Sequence, residues 1–481
     1  MTTPLFTLRQ DEEFVYIDIR VPHIRVAASD FFIEGSLFSF YCKPYYLKLT
    51  LPGEVLDNEK TRAVYDINEN NGTIHVHLPK KQSGENFKDL HMLTKLLTQA
   101  PNPIDIKSLG GKSSARPNIE IISSTPAEEG QAEAAGHVPE PEIAEDKKVS
   151  APTAEALFGK ISYGFNDRYS GFFAGLREDL SDLVQVSSPD STTAKDRTGA
   201  RVEQEEGDFD LERYAGDYAY GKEDMVYQSA MACRPFWRND DGESDASAKR
   251  KPKGDPGTDI EASMAKMAIG ARGNDKKNDE STSFFTEDER EALIRLPRRE
   301  YLIDETGTEG FALLSGLASV CFGYAYDYRI TDGDSTVESD WTISILSPLM
   351  SWLDSECCEE LAQVTTACMR RSLIYPYLRS WDLSSVVLSD TVALFKKGKG
   401  VLMKVLLKIR KIFERSETKY LFNKLFIDDY CVWLQSVKEE TIRAFALKFE
   451  ECSKHMNKDK LDLELVDIER QVNMQLQGAV E

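Results

Sequence analysis

The sequence predicts a multidomain chain: an N-terminal all-β sandwich, then a large all-α domain, joined by a disordered linker. Three observations predict it. Short runs of strictly alternating apolar and polar residues fill the first hundred positions. Between about 106 and 156, Ser, Pro, Gly, Ala and Glu dominate and aromatic residues are absent. Beyond that, Glu309 to Arg329 is apolar almost all round at helical spacing, and amphipathic segments follow it.

In the first region (1–100), Val15, Ile17, Ile19 and Val21 alternate with Phe14, Tyr16, Asp18 and Arg20. Tyr45, Leu47, Leu49 and Leu51 repeat the pattern, as do Ile74, Val76 and Leu78 after an Asn71-Gly72 turn signal. Such runs without a long helical pattern describe a small antiparallel sandwich. The linker (106–156) buries too little apolar surface to offset the entropy of ordering it. Gly110-Gly111-Lys112-Ser113 inside it resembles the end of a phosphate loop, but no strand and helix flank it.

The all-α region is expected over 158–473, with a disordered insertion at about 239–281 rich in Asp, Lys, Gly and Ser. Phe172, Phe173, Leu176, Leu180, Leu183 and Val184 form one amphipathic helical face. Thr286 to Glu289 fits a capping box, and Ser335 to Glu338 fits another, opening a helix through Trp341 and Leu346. Pro348 suits the first turn of a short helix. Further helices are expected near Glu359–Leu373, Ser384–Phe395, Val401–Phe413, Asp428–Leu434 and Glu439–Glu451. The Glu309–Arg329 helix is the centre they sheathe. Gly316 and Gly323 interrupt it and Glu309, Asp327 and Arg329 flank it closely, which argues against a membrane span.

Charge limits the function classes. The net charge is −22, from 81 acidic and 59 basic side chains. A polyanion repels phosphate backbones, so direct nucleic-acid binding is disfavoured and a basic partner surface is favoured. The eight cysteines show no metal spacing and read as free thiols of a reducing compartment. Asp11, Glu12 and Glu13 follow the start too closely for a signal peptide, so a cytosolic or nuclear protein is expected.

A search for chemistry finds none that can be argued. His75 and His77 share a strand face but lack a third metal ligand by spacing; His23, His91, His137 and His455 are isolated. Nucleophile elbows and dinucleotide loops are absent. No cofactor and no metal are expected. Lys404, Lys408, Lys411 and Arg415 line one helix face, which reads as a solvated face or an anion-facing surface. Asp332, Asp334, Glu338 and Asp340 cluster, and Asp428 with Asp429 stand where a helix is expected to open. Each group reads as helix caps or as an anionic partner-binding surface.

Two sets of residues carry a family resemblance. Phe6 to Phe14, Pro44-Tyr45-Tyr46-Leu47 and Thr94-Lys95-Leu96-Leu97 resemble the N-terminal CS domain, a small-heat-shock-like sandwich, of Shq-type assembly factors. Tyr163-Gly164-Phe165, Val337 to Trp341, Tyr375-Pro376 and Asp428 to Trp433 resemble that family's own helical domain. The resemblance implies a non-catalytic assembly chaperone for H/ACA ribonucleoproteins, including the telomerase-associated particle. It would hold the free pseudouridine synthase subunit, of dyskerin type, on its RNA-binding face as an RNA mimic. AAA+ co-chaperones would help release it, and the chaperone would be a monomer of nucleus (nucleoplasm) and cytoplasm. Asp332, Asp334, Asp340, Asp428 and Asp429 are the expected partner-binding residues. Phe6 and Gln10 are expected to add an accessory contact, with a core plug as the alternative for Phe6. A co-chaperone that engages a heat-shock ATPase through the CS domain is the competing reading; an unrecognised hydrolase or RNA-modifying enzyme is a third.

One motif stands apart. Lys249, Arg250, Lys251 and Lys253 surround Pro252 in the insertion, a pattern that nuclear-import receptors grip. The alternative is a solvated loop that offsets Asp240, Asp241, Glu243 and Asp245.

Overall fold

A computed structural model of the chain describes residues 2–22, 29–58, 60–66, 72–97, 119–121, 161–174, 180–238 and 284–478. The alternating runs become strands: β1 (Leu5–Gln10), β2 (Phe14–Arg20), β3 (Asp30–Glu34), β4 (Leu37–Cys42), β5 (Tyr45–Thr50), β6 (Arg62–Asp66) and β7 (Thr73–Pro79). One sheet has the order β1-β2-β7-β6, with β8 (Ile119–Ile121) beyond β6, and the other β3-β4-β5. The apolar member of each alternating pair points between the sheets. Val15, Ile17 and Ile19 from β2 and Ile74, Val76 and Leu78 from β7 meet Phe38, Phe40, Leu47 and Leu49 from β4 and β5 in one buried core.

Strand β8 (Ile119–Ile121) corrects the expectation of a structureless linker from 106 to 156 at that point. It pairs in parallel with β6, which would otherwise be a sheet edge with unpaired backbone groups. Three residues are too few to show a period in the sequence. The rest of that stretch, including Gly110 to Ser113, lies outside the described residues.

A short helix, α1 (Leu93–Leu97), leaves the sandwich. The helical region comprises α2 (Leu180–Leu183), α3 (Ala194–Asp208), α4 (Leu211–Tyr220), α5 (Met225–Ala232), α6 (Glu287–Arg295), α7 (Thr308–Ile330), α8 (Ser339–Leu346) and α9 (Pro348–Ser351). It continues with α10 (Leu361–Ile374), α11 (Trp381–Lys397), α12 (Lys399–Glu414), α13 (Tyr420–Phe422), α14 (Asp428–Ser436), α15 (Glu439–Lys454) and α16 (Leu465–Gly478). Helix α7 is buried along nearly its whole length, as its composition requires, and α8, α10 and α11 pack on it. Its two mid-helix glycines are close-approach positions. A Cβ on Gly323 would stand 2.5 Å from the Ile343 carbonyl of α8, and one on Gly316 2.6 Å from the Tyr430 hydroxyl.

Two local expectations fail. Of the amphipathic face from Phe172 to Val184, Leu176 lies outside the described residues; among the described ones Phe172 and Phe173 are not helical and Leu180 and Leu183 are, in α2. Tyr163 and Tyr169 bridge across a tight turn, and the Phe172 N–H donates to the Tyr163 hydroxyl at 2.6 Å, so the phenylalanines pack from a turn. The box at Ser335–Glu338 does not form. Helix α8 begins at the buried Ser339, whose hydroxyl accepts the Thr336 N–H, while Thr336 accepts from Glu338 N–H. The Thr286–Glu289 box does form and caps α6.

The sandwich is clamped to the helices. Helix α1 packs on α6 and α14. The Thr94 hydroxyl donates to the Leu293 carbonyl, and the Lys95 N–H to Gln435 Oε1 at 3.2 Å. His91 lies against the rings of Phe284 and Phe285. Lys399, buried at the start of α12, donates to Asp89 at 2.8 Å and to the Val437 carbonyl at 3.1 Å.

Candidate protein-binding surface

The loop after α7 brings two of the expected acidic residues, Asp332 and Asp334, to the surface. Thr331 closes the helix with an N–H to the Asp327 carbonyl. Asp332 then turns left-handed at φ +50°, and Gly333 donates back to the Tyr328 carbonyl at 2.9 Å. This reversal throws Asp332 and Asp334 into solvent. Glu338 is exposed as well, and Asp340 is half-buried in the first turn of α8. The apolar members of this loop are exposed with them. Val337 is 90% exposed, and Trp341 in the first turn of α8 also faces solvent. An acidic ridge studded with an aliphatic and an aromatic side chain is unusual on a surface with no other task.

Behind the ridge lies a cleft of about 230 Å³ lined by Asp327, Tyr328 and Ser335 on one side and by Lys408, Lys411 and Arg415 on the other. The basic face of α12 is therefore not simply solvated. The Lys404 and Lys408 ammonium groups lie over the rings of Phe284 and Phe236 at 4.4 and 4.5 Å, and Lys411 reaches Asp288 at 3.5 Å. Burial raises Asp327 to about 6, against a Ser339 hydrogen bond that lowers it. Across the ridge, burial lowers Lys419 to about 8, although Asp340 and Asp182 oppose this; Lys419 donates to the Leu183 carbonyl at 3.1 Å.

Asp428 and Asp429 have a different setting. They do not open a helix: Tyr420 to Ser436 is continuous, with a π turn over Asn423–Ile427 just before them. The Asp429 carboxylate is fully buried. It accepts from the Tyr301 hydroxyl at 2.5 Å, the Tyr169 hydroxyl at 2.7 Å and Arg299 Nη1 at 2.9 Å. Burial first, and then the Asp429 hydrogen bond, raise Tyr169 to about 12, so the hydroxyl remains a donor. Asp428 is half-buried and paired with Arg410 at 2.8 Å. The anionic-surface reading thus gives way, for Asp429, to a buried polar node between the Tyr163–Tyr169 turn, the 298–301 strap and α14. The sequence holds no sign of this, because Arg299, Tyr301 and Tyr169 are remote from Asp429 in the chain.

In the sandwich, Phe6 on β1 is a core residue, so its core-plug alternative holds. Gln10 is engaged internally. Its amide donates to Asn86 Oδ1 and the Phe87 carbonyl, both at 2.7 Å, and accepts from the Phe87 N–H and the Lys80 ammonium at 2.8 and 2.9 Å. His75 meets Asp18 at 2.7 Å, and His77 packs edge-on to Tyr16. Among the described residues, no three His, Cys, Asp or Glu side chains are grouped to hold a metal ion, and no helix is long and apolar enough to cross a membrane. Lys249, Arg250, Lys251 and Lys253 lie outside the described residues.

A CS-type β-sandwich clamped to an all-α region with an acidic, apolar-studded ridge defines a class of two-domain protein. The chain belongs to the SHQ1 family. Residues 3–97 match the "SHQ1-like, CS domain" and residues 274–465 the "SHQ1 protein, Shq1 domain". The Protein SHQ1 homolog of Danio rerio is 33% identical over 474 residues, covering 97% of this chain and 71% of that protein. That of Mus musculus is 31% identical, over 98% of this chain and 75% of the relative. Protein shq1 of Schizosaccharomyces pombe is 31% identical, over 98% and 96%.

Proposed function

We propose that this chain is a non-catalytic assembly chaperone for H/ACA small nucleolar ribonucleoproteins, including the telomerase-associated particle. It binds the free pseudouridine synthase subunit, of dyskerin type, on that subunit's RNA-binding face and keeps RNA and other copies away until assembly. The observation that carries this reading is the ridge of Asp332, Asp334, Asp340, Val337 and Trp341. A face built to bind RNA offers cations spaced for phosphates and aromatic or aliphatic shelves for bases. A protein ridge with carboxylates and an exposed ring can occupy both at once, which is RNA mimicry in physical terms.

The chain acts as a monomer and works in the nucleoplasm and cytoplasm, with Lys249 to Lys253 as its import signal. AAA+ co-chaperones pull the partner free. The test is co-purification of purified synthase subunit with the full chain and with the triple variant D332K/D334K/D340K. Loss of binding with an unchanged melting temperature supports the reading, and retained binding removes the ridge from the interface.

A further inference from the structure

Helices α4 and α5, the 377–382 segment and the α16 side of the helical region enclose a cavity of about 300 Å³. It lies apart from the acidic ridge in its lining. Aromatic side chains wall it: Tyr214, Tyr218, Tyr227 and Trp381. Its charged lining is mostly committed. Lys222 pairs with Asp382 at 3.3 Å, Lys458 pairs with Glu469, and Asp224 caps α5 while accepting the Tyr377 hydroxyl at 3.1 Å.

Arg379 is the exception. It is 9% exposed, lines the cavity, and its Nε and Nη1 have no hydrogen-bond partner among the described residues. No ion pair joins it to a carboxylate there. Asp217, on the same wall, is partly exposed; its Oδ2 has no hydrogen-bond partner among the described residues, although the carboxyl takes the Arg379 backbone N–H and feels the Arg379 charge. A buried guanidinium with no protein acceptor is a costly arrangement, and a cavity beside it leaves room for a ligand to complete it. The completing group is an anion with two acceptor oxygens, the geometry that the guanidinium fork matches. Arg213 also lines the cavity and, among the described residues, its side chain makes one long contact, 3.5 Å, to the Tyr377 carbonyl.

We infer that this cavity takes the side-chain carboxylate of an Asp or Glu in an acidic peptide segment of a partner protein. The carboxylate seats on Arg379, and a backbone N–H of the same peptide donates to Asp217. The volume suits one side chain with its own backbone. An internal segment rather than a chain end is indicated by the exposed apolar surface beside the lining: Tyr377 lines the cavity at 65% exposed, and Tyr220, Met225 and Val226, next in the chain to the lining residues Gly221 and Asp224, are exposed too. This site selects an acid, whereas the ridge selects a basic face, so the two stand or fall separately.

The experiment probes the full-length chain on an array of amide-capped octapeptides with randomised flanks and a fixed central Asp, Glu, Asn, Gln, Lys or Arg. Retention on Asp and Glu at least about ten-fold above Asn and Gln is expected. Arg379→Met should abolish the preference while leaving the melting temperature level or higher, since an unpartnered buried charge is replaced by an apolar chain of similar length. Arg213→Gln should weaken retention several-fold and decides the matter if Arg379→Met fails to fold. No acidic preference, a preference for Lys or Arg, retention that survives Arg379→Met, or retention indifferent to Arg213→Gln overturns the inference.

Discussion

Lys399 and Asp89 are 310 positions apart in the chain, yet the ammonium of one lies 2.8 Å from the carboxylate of the other. Lys399 has left water to reach it and also serves the Gln435 and Val437 carbonyls. The sandwich and the helices are therefore held in one orientation rather than strung together. Burial raises the Asp89 carboxyl, but the Lys399 hydrogen bond and the charges of Lys399 and Lys95 outweigh it and hold the group below its usual range. The ion pair is thus complete above the ordinary carboxylate pKa of about 4 and is lost as pH falls through the depressed value. Lys399→Met should cost about 1–3 kcal/mol in urea unfolding at neutral pH. A loss below a few tenths would mean that the clamp rests on α1 packing alone.

Asp429→Asn should destabilise the chain by about 1.5–3 kcal/mol, because two tyrosine hydroxyls lose a charged acceptor inside the fold, while Arg299, 46% exposed, can turn to water. Asp428→Asn, half-exposed on Arg410, should cost only about 0.5–1.5 kcal/mol. Equal and small losses in equilibrium denaturation would contradict the buried-node assignment.

Asp327 gives a pH signature with the opposite sign to Asp89. Burial lifts its carboxyl from 3.8 to about 6, so the folded chain holds a proton that the unfolded chain has released. This contribution to stability is full below about pH 4 and is lost as pH rises through 6. Asp327→Asn keeps the neutral form at every pH. Its melting temperature should match the parent below about pH 4 and exceed it increasingly as pH rises to 7, by an amount equivalent to roughly 3 kcal/mol. A difference that does not change with pH would show that the carboxyl titrates normally.

The ridge should divide into two kinds of contact. Trp341→Ala should weaken synthase binding by about 1–3 kcal/mol at any salt concentration, as a buried aromatic anchor does. Asp332→Lys with Asp334→Lys should weaken it at low salt and progressively less at high salt, as screened charges do. Titration calorimetry at two ionic strengths separates them. Identical salt dependence for both variants would contradict the division.

The architecture was legible because its signals are local. β2, β5 and β7 announce themselves by alternation, and α7 by a surface apolar all round. Other features resisted for physical reasons. Helix α3 turns Arg197, Arg201 and Glu205 inward, so its buried face reads as polar; Glu205 is satisfied by Arg201, Arg370 and Arg371, which lie far along the chain or on the same inward face. Strand β8 is too short for a period. Asp429 looks like a helix cap in the sequence because nothing there announces the π turn that runs the helix through it. Of the site, Asp332, Asp334 and Asp340 could be picked by clustering alone. Val337 and Trp341 could be quoted as a motif, but their exposure depends on α8 starting at Ser339.

The central claim is that this chain and RNA compete for one face of the synthase subunit. The direct measurement is fluorescence anisotropy of a labelled H/ACA guide RNA bound to purified synthase, titrated with the full-length chain. Anisotropy should fall to the free-RNA value as the chain approaches stoichiometry with the synthase, and D332K/D334K/D340K should displace the RNA far less well. Anisotropy that holds or rises while the chain binds, marking a ternary complex of chain, synthase and RNA, would contradict it.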